Sequence, residues 1–165
     1  MPFSQTLLPE FEEEMKNTRK LLEQVPDGKF DYRPHSKSMT LGRLASHVAE
    51  MPGWVALTVD QEVLDLTPDF KPFSADSRAA LLDAFDRNVG IAREKIAATE
   101  DVHWAKTWAL KFRGEEVLSM PRSMVMRSIV MNHLIHHRAQ LGVYLRLNDV
   151  AIAGMYGPSA DEKAW

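Results

Sequence analysis

Apolar residues recur at spacings of three and four through four long stretches of this chain, a period that belongs to helices. In residues 4–25 the repeat is Leu7, Leu8, Phe11, Met15, Thr18, Leu22 and Val25, with Ser4 as a cap and Pro26-Asp27-Gly28 as the stop. A second helix is expected from Thr40 to about Gln61. It should bend at Pro52, which cannot donate to the carbonyl of Val48. A third spans about 75–98 on Leu81, Leu82, Phe85, Val89 and Ile96. The fourth follows Pro121, a residue suited to a first helical turn, and runs to about Asn148. The intervals 29–39 and 62–73 read as connections. Four amphipathic helices in 165 residues predict an all-α fold, one four-helix-bundle domain over residues 1–165. The one departure expected is a short hairpin around Arg113-Gly114, between helices 3 and 4.

Composition narrows the function. A net charge of -3 without a long basic run gives no footprint for nucleic acid. The longest apolar runs are far too short for a membrane span. The acidic start "MPFSQTLLPEFEEE" does not read as a signal or transit peptide, and the lack of cysteine fits a cytoplasmic protein. Cysteine is absent, so disulfides, thiolate ligands and a cysteine nucleophile are excluded. Any metal must be held by His, Asp or Glu.

Three of the six histidines lie within five positions of "NHLIHHRAQLGVYL". Residues four apart on a helix are ~40° apart around it and ~6 Å along it. His133 and His137 can therefore share an ion, and by spacing alone so can His133 and His136. The apolar line Val130, His133, His137, Leu141, Tyr144 selects the first pair, and His136 flanks it beside Asn132, Gln140 and Val143. His47, in line with Leu44, Met51 and Trp54, is the third candidate. His35 and His103 lie in polar, loop-like segments. A single core-facing histidine is usually structural, but three without partners would leave buried nitrogens unsatisfied at ~1–3 kcal/mol each. A shared cation removes that cost.

"HLIHH" lacks the glutamate of helical zinc proteases, and helix 4 has no Glu for a di-iron site. A mononuclear centre with a free coordination position is expected. Glu50, Trp54, His136 and Tyr156, with Met51, are candidates for supporting contacts or a pocket wall. For Glu50 the plainer reading is a solvated surface position, and for Trp54, Met51 and Tyr156 it is packing. The run Glu10, Glu12, Glu13, Glu14 reads as a solvated face.

With "LGRLASHVAEMPGW", "NHLIHHRAQLGVYLR", the loop "VPDGKFDYRPHSKSMTLG" and the tail "GMYGPSADE", the chain resembles the DinB-like superfamily over nearly its whole length. The resemblance implies an up-down-down-up four-helix bundle, often a homodimer, with a divalent ion, nickel or zinc, on His47, His133 and His137. Ala139 replaces the usual Gly of "HRGQ". Some relatives are thiol-dependent S-transferases or isomerases and others hydrolases. The implied function is thus a metal-dependent enzyme activating a low-molecular-weight thiol or water. The alternative is a non-catalytic, metal-stabilised bundle acting as a stress-response binding module. No residue names the small-molecule substrate.

Overall fold

The structure is a computed structural model, described here over residues 1–162. Helix α1 is Phe3–Leu22. Its start is capped from elsewhere, because the Asp101 carboxylate accepts from Phe3 N–H at 2.8 Å. Ser4, expected to cap, lies inside the helix; its hydroxyl donates to the Thr99 carbonyl and accepts from the Trp104 indole, both at 2.8 Å. The helix stops three residues earlier than expected because Pro26 disfavours helical backbone at Val25. The chain instead closes with tight turns, Gln24 N–H to Leu21 and Val25 N–H to Leu22.

Helix α2 is Leu41–Glu50, capped by the Thr40 hydroxyl, which accepts from Arg43 N–H at 3.2 Å. The break expected at Pro52 is a single tight turn, Met51–Gly53, and α3 continues over Trp54–Asp60. The following interval is not only a connection: Val63–Leu66 forms strand β1. Helix α4 is Arg78–Ala98, begun at Ser77, whose hydroxyl accepts from Ala80 N–H. The short α5, Asp101–Trp104, precedes the predicted hairpin, β2 Thr107–Phe112 and β3 Glu115–Pro121. Its turn places Arg113 and Gly114 both at positive φ, 54° and 83°, which suits glycine. Because β1 pairs with β2 in parallel, the hairpin is part of a three-stranded sheet, and the all-α expectation is corrected to a helical fold carrying a small sheet.

The last helical stretch is interrupted. It runs as α6 Arg122–Val125, a wide π turn over Met126–Met131, and α7 Asn132–Arg146. In the wide turn Asn132 N–H reaches back five residues to the Arg127 carbonyl.

Cross-links between helices give their directions. Glu12 pairs with Arg93 and Arg19 with Asp86, so α1 and α4 are antiparallel. The Asn88 amide donates to Ala49 and Lys95 to Asp60, so α2–α3 run parallel to α4. Glu10 pairs with Arg127 and Arg138 donates to Thr18, so the last helix runs parallel to α1. The space between them is filled by Leu7, Phe11, Leu22, Leu44, Val48, Phe85, Ile96, Val130, Leu134 and Leu141, all 2% exposed or less. No helix among the described residues is long and apolar enough to cross a membrane.

Candidate metal centre

Helices α2 and α7 pack against each other and bring His47, His133 and His137 to one point. Ring centroids are 5.2 Å apart for His47–His133, 4.7 Å for His47–His137 and 4.6 Å for His133–His137. One ligand-capable atom from each lies within 4.8 Å of the others. His136 is exposed on α7, its ring 4.9 Å from that of His137, and it is not in the cluster.

The hydrogen bonds behind the rings decide which nitrogens point inward. His47 Nδ1 lies 2.7 Å from Glu50 Oε1; a carboxylate only accepts, so Nδ1 carries the proton. His137 Nδ1 donates to Gln140 Oε1 at 2.7 Å. His133 presents Nε2 to His137 Nε2 at 2.8 Å. With their outer nitrogens occupied as donors, His47 and His137 turn their inner lone pairs toward the cluster. A cation at that point would be held by these lone pairs and by His133 Nε2. The outer hydrogen bonds also fix tautomer and ring orientation, as partners behind metal-bound histidines do. The donor set therefore fits a divalent ion with imidazole preference.

Electrostatics keep His133 and His137 neutral. Burial lowers the His133 pKa, and the neighbouring His47 lowers it further. Burial takes His137 down to about 4 despite its bond to Gln140. At neutral pH both rings hold their lone pairs. Burial opposes the Glu50 charge, but hydrogen bonds from His47 and Phe73 N–H, with nearby Arg43, outweigh it and hold its pKa below the ordinary carboxylate value. Phe73 N–H donates at 2.9 Å and Arg43 at 3.4 Å. The reading of Glu50 as a solvated surface residue is thus corrected. Its side chain is 15% exposed and stands directly behind His47.

The other pocket candidates are placed elsewhere. Met51 is fully buried and Trp54 half-buried, both packed in or against the core. Tyr156 lies on the far side of α7, because the tail crosses there. Its hydroxyl accepts from Arg138 at 2.6 Å and bonds Glu14 at 2.8 Å. Glu14, expected on a solvated face, is 8% exposed and paired with Arg138. His103 bonds the Val59 carbonyl at 2.9 Å and His35 accepts from Lys37 N–H; neither joins the cluster.

One cavity adjoins the cluster, at His137; it measures about 290 Å³ and is walled by His137, Gln140 and Tyr144 of α7, Leu44 of α2, and the loop residues Lys37, Ser38 and Met39. Sequence reasoning did not single out these residues for a pocket. For Gln140 the signal was present, three positions after His137 in "HRAQ". For Lys37–Met39 it was not, since a loop carries no period.

The DinB family model matches residues 1–164. An uncharacterized protein of Bacillus subtilis strain 168, YrdA, is 26% identical over 162 residues, covering 95% of this chain and 90% of that protein. A DinB-like protein of Bacillus cereus superposes with a TM-score of 0.71 at 19% identity, covering 90% of this chain and 95% of that one. A second, YjoA of Bacillus subtilis, superposes at 0.69 with 14% identity, covering 93% and 99%. These two likenesses establish a shared fold, and with the family match over almost every residue the chain belongs to the DinB family.

Proposed function

We propose that this protein binds one divalent ion, nickel or zinc, on His47, His133 and His137, and uses it as a catalytic centre open to a small molecule. The observation that carries the reading is the convergence of three imidazoles, two of them, His47 and His137, with outer hydrogen bonds that turn their lone pairs inward. No carboxylate joins the cluster among the described residues. Three neutral protein ligands leave a coordination position and the full charge of the ion. Held there, a divalent ion would supply Lewis acidity, lowering the pKa of a thiol or water at neutral pH. Because the chain has no cysteine, a thiol would come from outside. Gln140 and Glu50 hold His137 and His47 in orientation, and Leu44 and Met39 give the cavity its apolar wall.

Elemental analysis of protein purified without a nickel column should give close to one ion per chain. Alanine at His47, His133 or His137 should remove it, whereas His136→Ala should keep it. Retention by His137→Ala together with loss in His136→Ala would overturn the ligand assignment. In the cobalt form, absorption should shift when azide or a small thiol is added. A spectrum indifferent to both would favour the metal-stabilised, non-catalytic bundle.

A further inference from the structure

The cavity beside His137 has a one-sided inventory of polar groups. Gln140 spends its carbonyl oxygen on His137 and retains its amide N–H groups. Tyr144 spends its hydroxyl proton on the Met39 carbonyl at 3.1 Å, which ties the loop to α7. Ser38 contributes a half-buried hydroxyl. Lys37 is the one residue of fixed charge in the wall, and among the described residues its ammonium has no carboxylate within ion-pair distance. The acidic group nearest the histidines in the hydrogen-bond pattern, Glu50, is engaged behind His47 by Arg43 and Phe73 and is not part of this wall. The loop is held in place: Ser38 N–H donates to His35 at 2.9 Å, Lys37 N–H to the His35 ring at 3.2 Å, and Leu41 N–H to Tyr32 at 2.8 Å.

A cavity with an unpaired ammonium, amide donors and two apolar side chains, opening beside a metal ligand, selects for charge. We infer that it receives a small anionic substrate, whose carboxylate or equivalent anion meets Lys37 and Gln140 while its reactive group reaches the histidine cluster. The inference rests on the open-centre reading above and adds the charge class of the molecule. Lys37 is here a specificity-determining residue and does not act on the reacting atoms.

Three thiols of equal carbon length separate the charge from the thiol itself: mercaptoacetate, mercaptoethanol and cysteamine. Each is titrated into cobalt-loaded protein and followed by sulfur-to-cobalt charge-transfer absorption. Mercaptoacetate should bind about fivefold tighter than mercaptoethanol, the size of a partly solvated ion pair, and cysteamine weaker than both. Lys37→Ala should abolish the preference with mercaptoethanol affinity unchanged, Lys37→Arg should keep it, and Lys37→Glu should favour cysteamine. Added salt should erode the preference. A metal-free readout accompanies this: propionate added to isotope-labelled protein should shift the amide signals of Lys37, Ser38 and Gln140 in the wild type but not in Lys37→Ala. If all three thiols bind alike, the anionic-substrate inference falls and the open centre stands. If no thiol alters the cobalt spectrum yet propionate still shifts those signals, the open centre falls and the anion pocket stands.

Discussion

Glu50 shows how far one side chain can be read before its neighbours are known. Three residues after His47, it could equally face solvent or reach back over the helix. Its partners decide the matter: His47 and Arg43 share its helix, but Phe73 N–H is brought in by a loop that the helical period cannot describe. The three histidines were legible because they break an apolar stripe, a pattern local to each helix. Their outer hydrogen bonds were legible only in part: Gln140 is on the same helix as its partner, while the fixed pose of Glu50 comes from tertiary structure. The carboxylate makes His47 a stronger donor, so Glu50→Gln should weaken metal affinity by about tenfold, and Glu50→Ala by about a hundredfold. Competition against a chromophoric chelator measures both. Unchanged affinity in Glu50→Ala would mean that the carboxylate serves the Phe73 loop alone.

Among the elements, helices with a long period were read to within a few residues, and their ends were misread where the cap comes from another part of the chain. Thr40 and Ser77 cap their own helices. At α1 the cap is Asp101, far away in sequence, and Ser4 is drawn inward by Trp104. Strand β1 escaped notice because four residues beside two prolines carry too little alternation, and its parallel partner lies beyond an entire helix. The sheet is fastened to the bundle by Arg122, a guanidinium 3% exposed that donates to the carbonyls of Thr58, Gln61 and Thr107 at 2.8–2.9 Å. Two of these belong to the C-terminal end of α3, where the carbonyl dipoles favour a cation. Arg122→Met nearly fills the space but leaves three acceptors bare. At ~1–3 kcal/mol for each, the expected loss is about 3–9 kcal/mol, visible as a lower urea midpoint. A loss under about 1 kcal/mol would show that water replaces the guanidinium at little cost.

Over the whole molecule, the tail over residues 147–162 closes the face of α1 and α7 opposite the histidines. Asp161 pairs with Arg146 and accepts from Ile152 N–H at 2.8 Å, and Glu162 accepts from Gly154 N–H at 2.8 Å. Glu14, Arg138 and Tyr156 join α1, α7 and tail under it. Glu14 could have been suspected from the sequence, since it falls three after Phe11 and four before Thr18 on the buried stripe; counting it within an acidic run hid that. At this scale the family resemblance leads us to propose a homodimer, a closed two-fold pairing being the commonest arrangement. Light scattering across micromolar concentrations should return twice the 18.7 kDa chain mass. A monomer mass throughout would remove it.

The wide turn before His133 has a consequence for how this helix tolerates changes in length. Deleting a residue from an ordinary helix rotates everything beyond it by ~100°. Met126–Met131 already carries a surplus residue relative to an α-helical turn. A single deletion there would relax it to regular helix and leave Arg122 and His137 facing as they do now. His133 lies on the same α7 as His137 and would keep its bearing with it. A chain one residue shorter at this turn would therefore keep both bundle and ligand geometry, whereas the same deletion between His133 and His137 would lose the second.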